Sequence, residues 1–204
     1  MCINNYQMRT VIIKSVKFFI FLLIIFLHSV TFAQDLRFGI VAGPNFSTFN
    51  TDFFDAQFRV GIHGGIMAEI SISDKWGLHT ELQYSQQGMA WKDGQTKYKN
   101  YNNYLSIPVT FGYNFKNWFA LEFGPGIGIL IKSKEIINYP GIDEEKNTID
   151  QYNRIDFGVI LGAQFSISKH FQVGVRYYHG LTYVEIGADR KKNRHFQVPV
   201  TYRF

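Results

Sequence analysis

Residues 58–70, FRVGIHGGIMAEI, alternate strictly between two kinds of side chain. One set is Phe58, Val60, Ile62, Gly64, Ile66, Ala68 and Ile70; the other is Arg59, Gly61, His63, Gly65, Met67 and Glu69. A period of two is the geometry of a strand, whose successive side chains leave opposite faces of a sheet. The same alternation runs through 36–46, 76–86, 105–115, 119–131, 155–167, 171–178 and the closing stretch RHFQVPVTYRF at 194–204. No helical period competes with it. The connections alternate too: SISDK, KN and SISKH are short, whereas 47–57, 87–104, 132–154 and 179–194 read as long polar loops. This pattern predicts an all-β fold, an eight-stranded antiparallel up-and-down barrel with both chain ends on the short-turn side.

A barrel in water puts apolar side chains inside, and a barrel in lipid puts them outside. Three features choose between them. The apolar set is uniformly large while the opposite set is rich in glycine, and eight strands leave an interior just wide enough for side chains to fill. The polar set also balances its charges, with Arg37, Arg59, Arg176 and Arg203 against Glu69, Glu81, Glu122 and Asp156. Those eight are the candidate residues of an ion-paired lumen. Finally, aromatics gather beside the short turns: Trp76, Tyr113, Phe115 and Phe171 form the core of a membrane-interface girdle, with Trp118, Phe119, Phe165, Tyr202 and Phe204 nearby. The expectation is a transmembrane barrel with its apolar face in lipid.

The first 33 residues fit an export signal. Arg9, Lys14 and Lys17 precede an uncharged run from Phe18 to Leu27, and Thr31-Phe32-Ala33 has the spacing of a signal-peptidase site. The run is shorter than the roughly 20 residues of a membrane helix. Cleavage would leave a barrel domain over 35–204, with either Met1 or Met8 as the start. It also removes three basic residues, lowering the formal charge from +5 to +2, so the basic balance does not point to nucleic acid. Cys2, the single cysteine, leaves with it, which excludes a disulfide-stapled domain.

Sites of chemistry are scarce. His63 and His79 are expected in the lumen, where register through the short turn sets His63 near Gln83 and His79 near Met67. That spacing separates them, so no metal or general base is assigned. The four carboxylates read as ion-pair partners and not as acid–base groups. Gly124, Gly126 and Gly128 alternate along a strand and lead into no helix, so they are not a phosphate loop. IDEE at 142–145 lacks calcium-loop spacing. Catalytic, cofactor and metal residues are therefore none. Lys92, Lys97 and Lys99 with Tyr98 and Tyr101, and DRKKNR at 189–194, make basic loop tips that could meet lipopolysaccharide phosphates.

Several segments resemble the PorT-like outer-membrane barrels, generically labelled porin family, of Bacteroidetes-type bacteria. FGIVAGPNFS at 38–47 is similar to that family's first strand, and YLSIPVTFGY at 104–113 to its Tyr-Leu-x-Ile-Pro strand. FGPGIGIL, RIDFGVILGAQF and VGVRYYHGLT extend the likeness across nearly all of 35–204. Val41 stands where a basic residue is usual, and Pro199 where glycine is common. The resemblance implies an outer-membrane location with periplasmic termini and outward long loops. It also implies that Tyr202 and the terminal Phe204 serve as a signal to the barrel-assembly machinery.

The expected function is that of a small, non-enzymatic envelope protein with a plugged lumen, acting in structure, adhesion or interaction. Its expected partners are outer-membrane lipids, lipopolysaccharide and the assembly machinery, without nucleic acid and as a monomer. A narrow channel, an accessory of type IX secretion and a lipid-modifying enzyme are the competing readings.

Overall fold

The computed structural model describes residues 36–50, 57–140, 142–187 and 191–204. The expected export segment, its cleavage point and the first two residues of the DRKKNR tip, Asp189 and Arg190, lie outside them. The elements are β1 Leu36–Asn50, β2 Gln57–Ser71, β3 Trp76–Gln87, β4 Met89–Asp93, β5 Thr96–Lys116, β6 Phe119–Tyr139 and β7 Ile142–Asn147. A 3-10 turn at Ile149–Gln151 follows, then β8 Ile155–Ser166, β9 Phe171–Gly180, β10 Lys192–Gln197 and β11 Val200–Arg203.

All pairings are antiparallel, and the sheet closes because β1 pairs with β2 on one side and with β10 and β11 on the other. β3 and β4 keep one register along β5, so they act as a single wall, as do β10 and β11 along β1. The ring therefore has eight walls. Closure leaves no free edge in the wall, the condition for a sheet surrounded by lipid. The last wall is broken at Val198 and Pro199: the Val198 amide donates to the Pro44 carbonyl at 3.1 Å, and the Gly174 amide to the Pro199 carbonyl at 2.8 Å. Gly43 lets the Val198 carbonyl approach, because a Cβ there would collide with it.

The faces separate as the alternation requires. Val60, Ile62 and Ile66 are more than 60% exposed on the outside, whereas Glu122 and Arg176 are 2% exposed within.

Two stretches expected as loops are strands. Residues 89–103 and 132–147 form hairpins that carry β4, β5, β6 and β7 past the barrel rim as a projecting four-stranded ledge. Their turns carry signals that run length obscures: Asp93-Gly94, with Gly94 at φ +57°, and Pro140-Gly141. The β2–β3 register also differs. His63 lies opposite Ser85 and His79 opposite Glu69, two residues from the expected pairing, because the chain leaves the ladder after Ser71. The amides of Ile72 and Ser73 both turn onto the Trp76 carbonyl, which widens the turn.

Candidate functional site

Inward alternation from β3, β6 and β9 brings Glu81, Glu122 and Arg176 together in mid-lumen. The Arg176 guanidinium binds Glu81 through both carboxylate oxygens, at 2.9 and 3.1 Å, and Glu122 through Nε and Nη2, at 2.8 and 3.1 Å. Thr110 at 3.1 Å and Gln164 at 2.8 Å donate to the second Glu122 oxygen. Two carboxylates share one cation here, and the extra donors satisfy lone pairs that a single arginine cannot. Bidentate geometry of this kind is stronger than a point-charge contact.

The eight candidate residues do not form one network. Nearer the short turns, Arg203 donates to Glu69 at 3.3 Å and His79 stands 4.0 Å from the same carboxylate, with Arg37 opposite Glu69 in register. Arg59 joins neither group. It donates to the Gln87 carbonyl at 2.7 Å and lies 4.1 Å from the Tyr101 ring, where four β2 residues, 59–62, span three of β3–β4, 86–88. Asp156 has no cationic partner among the described residues; Tyr178, Thr182 and Asn193 donate to it at 3.0, 2.8 and 2.8 Å. Alternation places all eight side chains on one face, but the stagger between walls decides which of them meet. His63 bonds Gln83 at 2.9 Å, and His195 stacks on Tyr178 with ring centres 4.6 Å apart. No group of three metal-ligating side chains exists among the described residues.

A cap above the lumen is absent from the sequence reading. Phe49, Met89, Tyr104, Leu130, Tyr152 and Val184 form a buried apolar cluster, with Trp91 and Ile149 against it. Residues 184–186 are tied to this cluster: the Asn153 amide donates to the Val184 carbonyl, Val184 to Lys191 and Ile186 to Gln151. Below it, a void lined by Gln87, Asp156, Arg176, Tyr178, His195 and Gln197 offers about 20 Å³, room on the scale of one water molecule. Among the described residues, ion pairs occupy the lumen at mid-height and the apolar cluster lies above them.

The girdle residues form a ladder of ring contacts, mostly edge to face, round the short-turn end. Trp76 meets Tyr113 at 4.9 Å, Tyr113 meets Phe115 at 4.8 Å, Phe119 meets Phe165 at 5.3 Å and Phe171 meets Tyr202 at 5.0 Å. Trp118 joins through Phe165 at 6.3 Å although it is out of phase with its strand. Phe204 is exposed against Tyr202, and its amide donates to the Phe38 carbonyl at 2.9 Å. The last residue is thus hydrogen-bonded into the closing seam.

On the ledge, Glu135 is half-buried, and burial pushes its carboxyl above the usual range, aided by Glu185 and opposed by Lys146 and Lys191. A raised folded value means that ionisation costs stability as pH climbs through the unfolded value and up to the folded one. Glu135→Gln is therefore expected to stabilise the barrel at pH 7 and to make no difference below about pH 4. Denaturant unfolding at both values checks the sign.

Solved structures give low-identity likenesses. Ail, the attachment invasion locus protein of Yersinia pestis, is 15% identical with a TM-score of 0.45, covering 82% of this chain and 98% of its own. Neisserial surface protein A is 16% identical at 0.49, covering 82% and 97%. OprG of Pseudomonas aeruginosa is 14% identical at 0.33, covering 83% and 94%. No curated protein matches the sequence. The family model described as an outer membrane protein beta-barrel domain matches residues 32–184. A closed antiparallel ring with its apolar face outward is what that family builds in the bacterial outer membrane, and this chain belongs to it.

Proposed function

We propose that the protein is a non-enzymatic envelope barrel that works through its outer wall and projecting loop end, not through a conduit. What carries this reading is the closed lumen: Arg176 held between Glu81 and Glu122, beneath the cap of Phe49, Met89, Tyr104, Leu130, Tyr152 and Val184. In this reading residues 1–33 direct export and the short turns face the periplasm. The ledge then projects from the cell surface, where it serves adhesion or another interaction as a monomer. Purified protein in planar bilayers is expected to give no large, steady conductance steps; their appearance would favour the narrow channel and overturn the proposal.

The assembly machinery is the proposed reader of Tyr202 and Phe204. Phe204→Ala is expected to lower outer-membrane levels several-fold, measured by quantitative blotting of membrane fractions. Unchanged levels would refute the role. The PorT-like motifs support a Bacteroidetes-type source and a second reading, accessory service in type IX secretion. Deletion of the gene with export intact excludes that service and leaves the barrel reading standing.

A further inference from the structure

The outward face of the ledge collects lysines from three strands. On β4 and β5, Lys92 lies directly opposite Lys97, and Ala90 opposite Lys99. On β6, Lys134 lies opposite Tyr101 and Lys132 opposite Asn103. Opposed residues of an antiparallel pair point to the same side, so Lys92, Lys97, Lys99, Lys132 and Lys134 share one face with Tyr101. The last two are there because of one irregularity. Leu130 and Ser133 are both buried inside, and Ile131 is the extra residue where the β5–β6 register shifts between Asn103 and Tyr104. Without that bulge, alternation would send Lys132 and Lys134 into the cap, since a slip of one residue inverts every side chain.

This face is continuous with the wall that meets lipid. Ile129 and Ile131, 42% and 49% exposed, belong to the apolar band, and Lys132 is the next residue along β6. Lys134 follows about 10 Å beyond Ile131 along the strand, a span that reaches from the apolar band toward the headgroups. Directly opposed like charges such as Lys92 and Lys97 destabilise a sheet unless an anion is held between them. Among the described residues, Lys92, Lys97, Lys99 and Lys132 have no carboxylate partner. Lys134 bonds Glu145 at 2.9 Å, and Asp143 and Glu145 make the β7 end of the same face acidic. Lys134 also lies 5.6 Å from the Tyr101 ring, an aromatic at the boundary where such rings anchor barrels.

We propose that this face binds the phosphate groups of outer-leaflet glycolipid, with Lys92, Lys97, Lys99 and Lys132 as the direct contacts. The assignment rests on the reading that the ledge lies at the cell surface, and it deepens the lipopolysaccharide partnership to named positions. The ledge thereby has two jobs: its inner face seals the lumen and its outer face grips the leaflet.

The test uses the full-length protein in detergent, titrated with deep-rough lipopolysaccharide. Saturable, salt-sensitive binding is expected. Combining Lys92→Gln, Lys97→Gln, Lys99→Gln and Lys132→Gln should weaken half-saturation by at least about 30-fold, well inside the effect of four lysines at an anionic surface. The four arginine replacements should retain binding, enzymatically dephosphorylated lipopolysaccharide should behave like the glutamine variant, and inorganic phosphate at matched concentration should not compete. Unaltered affinity in a glutamine variant that still shows heat-modifiable migration overturns the proposal, as does equal binding of the dephosphorylated lipid or competition by free phosphate. Orientation is read separately by Gln95→Cys at the β4–β5 turn, in a chain whose one other cysteine is Cys2. Labelling of intact cells by an impermeant maleimide supports the surface placement. Labelling only after lysis overturns the placement, and with it the lipid site.

Discussion

Arg176→Ala is expected to destabilise the barrel by about 3–5 kcal/mol, the cost of stranding buried charge when its partner is removed. The arginine is 2% exposed and, among the described residues, makes the salt bridges of both Glu81 and Glu122. Deleting it leaves two buried carboxylates facing each other with no guanidinium between them. Adding Glu81→Gln and Glu122→Gln to the same variant should restore more than half of the loss, because neutral amides need no counter-charge. Urea unfolding in lipid vesicles, followed by the folded band on unheated gels, measures both. A single variant within about 1 kcal/mol of the parent would mean that the triad is not what fills and fixes the lumen.

The second large effect falls on one glycine. Gly88 has φ +140°, and a Cβ there would run into the Asn100 carbonyl of β5. Gly88→Ala therefore combines strained backbone with a backbone collision that no side-chain movement relieves, at a cost of about 3 kcal/mol. The damage should be local: β4 would separate from β5, and Met89 and Trp91 would leave the cap. Limited proteolysis is expected to cut within 86–100 in this variant before the barrel unfolds. Gly94→Ala is the control. Its φ is +57° but nothing lies within 4 Å of the added carbon, so it should cost only about 1 kcal/mol. Equal losses at the two positions would show that the Asn100 contact contributes nothing.

The wall was readable from residues alone because one rule governs it everywhere. Val60 and Arg59 differ in partner solvent, and period two records that difference for 58–70 as it does for 155–165. The rest depends on quantities that alternation does not carry. Glu81, Glu122 and Arg176 lie on walls that are not adjacent in the ring, and they meet only because of stagger and the narrow bore. Asp156 looks identical to them in sequence yet is answered by Tyr178, Thr182 and Asn193. The bulge at Ile131 interrupts the phase by one residue, so 132–139 lose their strand pattern and read as loop. Lys92, Lys97 and Lys99 were visible as a basic tip, but their union with Lys132 and Lys134 is a matter of register. The cap gathers single apolar residues from six separate segments, none of which forms a motif.

The broken last wall sets an order on how the ring opens. Pro44 and Pro199 flank the same level, one lacking a donor towards the closing strand and the other lacking one from it towards β9. β10 and β11 contribute six and four residues where β5 and β6 contribute twenty-one each. Amide protons of 192–203 should accordingly exchange with solvent earliest among the wall strands, and those of the β5–β6 pair last. A cylinder built this way has a zip, and its pull-tab is the hydrogen-bonded Phe204.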